Sequence, residues 1–321
     1  MLRRFLLLLL ALLLAVTAVP ALALETPVPA PVHEPPTPTE VPPPVIDAAK
    51  DPDTVSSLRF RVDTKFLHIW FPYIRNADAA ILCWDGQVFM IDTGDKRAGI
   101  NTSELLRQLG ISRVDKLFIT HPHHDHLEGI EFTSKAAKIE EILFCFPHDA
   151  NERIEKAIAY ANENNIIVSD YKDSDVFSMG DGQVTLKFWY LDSPDLDMNN
   201  NSAVTLVQCG NRRILFTADM EQPGQEVLLQ HVPAEELRAE ILKYPHHGRS
   251  ALSNAFLKAV SPAAVVITNG KVDWNGVQFL KQNKIPYFFT YYKDTVIHLW
   301  TDGNTWVIEQ IPASQVAPVE E

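Results

Sequence analysis

With 321 residues, 46% of them hydrophobic, the chain can bury one large globular domain or two small ones. A formal net charge of −13 at pH 7 speaks against a surface built to hold a polynucleotide, which needs basic residues. Cysteine occurs three times, at Cys83, Cys145 and Cys209, each in an apolar run. An odd count of this kind does not describe a disulfide framework and predicts three buried thiols, with one disulfide pair as the alternative.

The chain opens Met-Leu-Arg-Arg, runs apolar over residues 5–19 with Thr17 the one interruption, and reaches Ala21-Leu22-Ala23. A charged start, a short apolar core and small residues at the −3 and −1 positions predict a signal peptide over residues 1–23. The apolar run is shorter than the roughly 20 residues that a spanning helix needs. The expected location is therefore secreted or extracytoplasmic, with a membrane tether as the alternative if the segment stays uncleaved. No other stretch is long and apolar enough to cross a bilayer. Residues 24–54 read as a linker, because 27–44 holds nine prolines and such a stretch favours extended polyproline II over a packed core. The folded domain is expected over 55–315, and 316–321 as a tail.

From residue 56 the pattern is that of strands. Residues 58–62 alternate, 66–71 are apolar, and 79–84 and 87–91 flank Asp85-Gly86, a hairpin signal. The second of these strands ends Ile91-Asp92-Thr93-Gly94, where glycine permits a sharp turn. Residues 101–109 form a helical pattern with Leu105, Leu106 and Leu109 on one face. Residues 114–120 are apolar and β-rich, a buried strand. Directly after it comes Thr120-His121-Pro122-His123-His124-Asp125-His126. His121 and His123 are two apart, so in an extended backbone they point the same way. Asp125 and His126 can turn toward a second position. Imidazoles with a carboxylate in this layout suit two metals side by side, of the zinc, manganese or iron kind.

The run His121 to His126 matches the HxHxDH signature of the metallo-β-lactamase superfamily. The resemblance implies an α/β fold, the αβ/βα four-layer sandwich, with metals at one edge and hydrolysis as the usual reaction. It also implies that Asp92 braces the metal loop through hydrogen bonds.

Beyond the signature, 136–146 contains a short strand and 151–164 a helix, with His148 a surface residue in the loop between them. Residues 169–182 are polar and irregular, and 183–190 form a strand. Asn199-Asn200-Asn201-Ser202 precedes strands at 203–209 and 213–216. Asp219 then resembles the superfamily's metal-bridging aspartate, since a carboxylate can offer one oxygen to each metal. β-Lactamases and glyoxalase-type enzymes carry a further histidine between the signature and this aspartate. Here Asn-Asn-Asn-Ser stands in that place, which makes the first position more oxygen-rich and tilts it toward manganese. Residues 241–244 form a strand that leads into Lys243-Tyr244-Pro245-His246-His247-Gly248.

Taken together, Asp92, the signature, Asn201-Ser202, Asp219 and Lys243 to Gly248 resemble the C-terminal hydrolase domain of ComEC-type DNA-uptake proteins (DNA internalisation competence proteins). They also resemble the phosphorylcholine esterases of bacterial surfaces. The likeness covers residues 58–311. Two departures stand out. ComEC-type domains open with GQGD where this chain has Arg75-Asn76-Ala77-Asp78, and 269–277 lacks their Gly-His-Pro element. Their multi-span channel is absent, so the chain is not expected to transport DNA by itself. By analogy with other members, His247 is the ligand and His246 faces the substrate; the reverse assignment stays open. A helix over 251–260, a strand over 263–268, a helix over 277–283 and strands over 295–300 and 305–311 complete the pattern. Asp302-Gly303 marks the last hairpin, and Tyr287 to Phe289, Trp300 and Trp306 read as core.

The resulting expectation is a secreted hydrolase with two divalent metals, zinc or manganese. His121 and His123 hold the first, Asp125, His126 and His247 the second, and Asp219 bridges. Asp92, Asn201 and Ser202 support them. A metal-activated hydroxide attacks a phosphodiester, with Asp125, His246 and Lys243 as the catalytic groups and the latter two neutralising phosphoryl charge. From residue 55 onward acids outnumber bases by ten, so cell-envelope or small phosphoesters compete with nucleic acid as substrate. A lactonase or β-lactamase and a non-catalytic surface module are the competing classes. No obligate protein partner is evident.

Overall fold

The computed structural model describes residues 45–51, 65–271 and 274–318. The signal peptide, the proline-rich run and the strand expected at 58–62 lie outside the described residues. In chain order the elements are β1 (Val45–Asp47), β2 (Leu67–Phe71), β3 (Ala79–Trp84), β4 (Gln87–Thr93), α1 (Lys96–Gln108), β5 (Arg113–Val114) and β6 (Lys116–Ile119). Next come α2 (His124–Leu127), α3 (Ile130–Ala136), β7 (Lys138–Ile139), β8 (Glu141–Phe144), α4 (Glu152–Glu163) and β9 (Ile167–Asp170). The second half holds β10 (Val176–Met179), β11 (Val184–Trp189), β12 (Val204–Cys209), β13 (Arg212–Phe216), α5 (Gln222–His231), β14 (Ile241–Lys243) and α6 (Asn254–Val260). It closes with β15 (Ala264–Ile267), α7 (Trp274–Gln282), β16 (Tyr287–Phe289), β17 (Thr295–Thr301) and β18 (Trp306–Pro312).

Nine strands form one sheet in the order β1-β18-β17-β2-β3-β4-β6-β8-β9, and seven form another in the order β10 through β16. Side-chain alternation along the strands explains how the sheets stack. Leu67, Ile69 and Phe71 of β2 meet Leu186, Val207, Ile214 and Val266 in the core between the sheets. Trp70, Met90 and Ile119 point the other way and pack against Leu105 and Leu106 of α1 and Ile154 of α4. On the far side, Leu215, Leu242 and Val265 pack against Leu228 of α5 and Phe256 and Leu257 of α6. The strands β6, β8, β14 and β15 are apolar on both faces because both faces are covered. This is the four-layer α/β/β/α arrangement expected from the sequence.

Several boundaries differ from the sequence expectation. β1 pairs in parallel with β18, so Val45 to Asp47 belong to the sheet and not to the linker read over 24–54. The strand expected at 114–120 is cut at Asp115, whose carboxylate accepts the Val88 amide at 2.8 Å. That contact lets Arg113 and Val114 leave for a small parallel pair with β7. α1 begins at Lys96, earlier than the leucine pattern, because Asp95 caps it through the Ala98 amide. The polar stretch 169–182 carries the end of β9 and the edge strand β10, whose exposed positions hide the alternation. α5 had no strong apolar stripe to announce it. The three cysteines are free, Cys209 buried and the other two half-buried. Burial pushes the Cys83 thiol up to about 12.

The topology gathers the site. β4 and β6 run parallel, as do β13, β14 and β15. Loops after the carboxyl ends of such strands share one sheet edge, the usual place for ligands in α/β proteins. β3 is antiparallel to β4, so the residue just before β3 reaches the same edge.

Candidate metal centre

Asp92 stands in β4 one residue before the strand ends at Thr93, buried and left-handed at φ 58°. Its Oδ1 accepts the Thr120 amide at 2.9 Å and its Oδ2 accepts the Thr120 hydroxyl at 2.7 Å. The same Oδ2 lies 2.7 Å from His126 Nδ1. One carboxylate therefore pins the end of β6 and sets the tautomer of His126, turning its Nε2 inward. Gly94 and Gly129 let the loops close: the Gly129 amide donates to Gly94 O at 2.8 Å, and a Cβ on Gly129 would overlap Thr93 O.

His247 is built the same way on the other sheet. It sits in the turn after β14 with His246, at φ 50° and 47°. Its Nδ1 lies 3.0 Å from Asp78 Oδ1 and 3.2 Å from Thr268 Oγ1, again leaving Nε2 turned inward. Asp78 also takes the buried Lys243 ammonium, which donates to Ala218 O at 3.0 Å as well. Ala218 is left-handed too, at φ 42°. Asp92, Ala218, His246 and His247 thus all occupy a region that costs about 1–3 kcal/mol per residue, and such strain concentrates at functional sites.

Asp219 stands between the two halves. Its Oδ1 is 3.2 Å from His126 Nε2 and 3.4 Å from His247 Nε2. Its Oδ2 is 3.7 Å from both His121 Nε2 and His246 Nε2. His121 Nε2 is in turn 3.1 Å from His123 Nδ1, and His247 Nε2 is 3.3 Å from Asp125 Oδ2. Ligand atoms of Asp78, His126, Asp219 and His247 fall within 4.8 Å of one another, as do those of His121, His123 and Asp219. Asp219 Oδ1, His126 Nε2 and His247 Nε2 are buried with no hydrogen-bond partner among the described residues. Each such atom costs about 1–3 kcal/mol when left unpaired. Three of them turned toward one point fit a cation, and the nitrogen and oxygen donors fit zinc or manganese.

The electrostatics agree. Burial pushes the His121 imidazole well below the usual histidine range, with His126 adding to it, so its lone pair is free to donate. Burial would lower His126 as well, but Asp219 and Asp92 hold it well above that range. His247 is raised to about 10 against its burial by Asp219 and Asp78. Burial would raise the Asp219 carboxyl, yet His247 and His126 hold it well below the carboxylate range. Imidazole protons and a divalent cation compete for such donors, so binding a metal there releases protons.

All six residues read as ligands converge on this edge. Asp125 is buried, and His123 is half-buried at the open side. His246 is 16% exposed at the rim, with Nδ1 2.7 Å from Glu221 Oε1. Lys243, read as a catalytic group, has a side chain that is 2% exposed and paired with Asp78, the acid that also holds His247. Ser202 accepts the Asp219 amide at 3.2 Å, and Asn201 ties down the preceding loop through Ser193 and Leu196. The Asn-Asn-Asn-Ser run is thus a brace where other members have a histidine. His148 lies apart, exposed and paired with Asp170. Sequence reasoning missed Asp78 and Glu221. Asp78 had a signal, because it is the acid that survives in the segment compared with GQGD; Glu221 had none.

A fold of two facing sheets that brings imidazoles and carboxylates to one edge is that of a metallo-hydrolase. The chain belongs to the metallo-β-lactamase superfamily, whose sequence pattern matches residues 75–270. It is similar to ComE operon protein 3 of Bacillus subtilis (strain 168), 27% identical over 166 residues, 50% of this chain and 21% of that protein. It is 24% identical over 210 residues to competence protein ComA of Neisseria gonorrhoeae, covering 60% of this chain and 27% of that one. Ribonuclease Z of Aeropyrum pernix is 28% identical over 123 residues, 36% of each chain. The ComEC-type resemblance therefore holds, though the matched region spans only 21% and 27% of the two competence proteins' lengths. Among the described residues no helix is long and apolar enough to cross a membrane.

Proposed function

We propose that the chain is an exported phosphodiesterase that works with two divalent cations. The observation that carries this is the division of the Asp219 carboxylate, one oxygen toward His126 and His247 and the other toward His121. His121, His123 and Asp219 would hold one cation, and Asp125, His126, His247 and Asp219 the other. Two adjacent divalent ions supply Lewis acidity and a source of hydroxide near neutral pH. An anionic phosphodiester suits such a pair better than a neutral lactone or β-lactam. The name of one relative, a ribonuclease, points the same way. His246 and Glu221 form a rim pair in which Glu221 orients the ring and Nε2 can hold a proton for a phosphoryl or leaving oxygen. Asp125 orients the substrate side of the second position. Lys243 acts through Asp78, balancing its charge so that His247 is held in place. With two imidazoles and one shared carboxylate, the first position has the fewer donors and is the weaker of the two.

The test uses the full chain, stripped with a chelator and reloaded with Mn²⁺ or Zn²⁺. It is assayed on bis(p-nitrophenyl) phosphate, p-nitrophenyl phosphate, a lactone and a β-lactam. Diester hydrolysis that returns with metal is expected; hydrolysis of lactone or β-lactam alone overturns the reading. For export, protein from the producing cell should begin at Leu24, and an intact Met1 on all of it would refute cleavage.

A further inference from the structure

Beside the centre runs a groove of about 340 Å³ that reaches Asp125 and carries Arg75, Arg97, Arg249 and His124 on its walls. In a chain of net charge −13 this concentration of cations is out of character. Arg107, Arg113, Arg153 and Arg212 are each paired with a carboxylate. Arg75, Arg97 and Arg249 have no carboxylate partner among the described residues. Asp95, the other acid on the groove wall besides Asp125, is engaged in capping α1 through the Ala98 amide at 2.7 Å. Three guanidinium groups without a carboxylate partner around one concavity are suited to an oxyanion that can take two N–H donors at once, above all a phosphate.

A second feature of the groove is aromatic. The rings of Tyr73 and Tyr291 stack with centroids 4.7 Å apart and planes 18° from parallel. The Arg75 guanidinium lies 5.6 Å from the Tyr291 ring centroid, and Tyr291 is 41% exposed. An exposed tyrosine backed by a second ring, beside arginines that lack a carboxylate partner, fits a flat ring attached to a phosphate. A glycerol- or ribitol-type phosphate polymer has no ring to offer.

We propose that this groove is a specificity subsite for the unit next to the cleaved phosphodiester. The arginines take the neighbouring phosphate, and the Tyr73–Tyr291 stack takes a planar ring. This rests on the phosphodiesterase reading and narrows it to nucleotide-like substrates with an unpaired base, since a base inside a duplex cannot reach a stacking platform. Arg249 follows two residues after His247, so the subsite and the proposed metal ligand share one turn.

The experiment compares the full chain with Tyr291→Ala and with Arg75→Ala/Arg97→Ala. Substrates are glycerophosphocholine, a small diester with no planar ring, and an oligothymidylate. The specificity constant for the oligonucleotide relative to the small diester is expected to fall about 5- to 100-fold on losing the stack. The double arginine variant should also flatten the salt dependence of oligonucleotide binding by about one unit of log–log slope per lost phosphate contact. Binding is read separately, by anisotropy of labelled oligothymidylate with chelator present. A ratio and a salt slope equal to those of the unaltered chain overturn the subsite. If the unaltered chain cleaves neither diester yet binds the oligonucleotide in an arginine-dependent way, the phosphodiesterase reading fails and the groove stands. Equal loss on a glycerol phosphate polymer would show a phosphate site without ring selection and overturn the stacking role.

Discussion

The two halves of the centre are built to different standards. Around Asp219 Oδ1, both imidazoles are fully buried and each has its Nδ1 held by a carboxylate, Asp92 for His126 and Asp78 for His247. Around Oδ2, His121 Nδ1 has only the Thr120 hydroxyl at 3.2 Å, and His123 is half-buried with its Nδ1 against His121. A carboxylate behind an imidazole fixes its tautomer and raises its basicity as a ligand, so the His126–His247 half should hold metal more tightly than the His121–His123 half. The comparison teaches that the missing third histidine is one part of the asymmetry. The other part lies in the acids behind the imidazoles.

The largest expected effect comes from removing the residue the halves share. Asp219→Ala should lose metal at both positions by elemental analysis and lower diester turnover at least about 10³-fold, a scale set by losing more than one transition-state contact. If the variant retains both metals, Asp219 does not bridge. Next comes the contrast between neighbours. His247→Ala should empty the tighter position and lose activity with it. His246→Ala should keep its metal and lower kcat by about 10²–10³, because a rim donor acts mainly in the transition state. The opposite pattern of metal content would reverse the two roles.

A smaller change tests the bracing itself. Asp78→Asn should weaken the tighter position by about 10- to 100-fold in metal affinity, the usual cost of losing the partner behind a ligand histidine. It also leaves the Lys243 ammonium buried without its counter-charge, for which a stability loss of about 3–5 kcal/mol is expected in denaturant melts. If metal affinity holds while stability falls, Asp78 is a structural partner of Lys243 alone. The mildest change is Gly129→Ala. A methyl pressed on Thr93 O forces α3 away from the end of β4, a strain of about 1–3 kcal/mol read as a lower Tm. An unchanged Tm would mean that this contact does not set the loop closure.

Much of this was legible in the residues. The apolar run before His121 and the ligand types in the loop announced a metal site on a strand end, because a strand's period and a ligand's chemistry are local properties. The same holds for the Asp85-Gly86 hairpin and the helix over 152–163, whose turn residues and cap act over a few positions. β1 was not legible: three residues without a pattern of their own became a strand only because β18 offered an open edge. Nor were the partners of His246 and His247. Glu221 is 25 residues from His246 and Asp78 is 169 residues from His247, so no spacing rule links them. Side-chain chemistry and short-range geometry are written in neighbouring residues. Which acid stands behind which imidazole, that Lys243 faces inward, and that three arginines share a groove with two stacked tyrosines depend on how two sheets pack face to face. Only the tertiary structure decides that, because packing brings together residues that share no sequence neighbourhood.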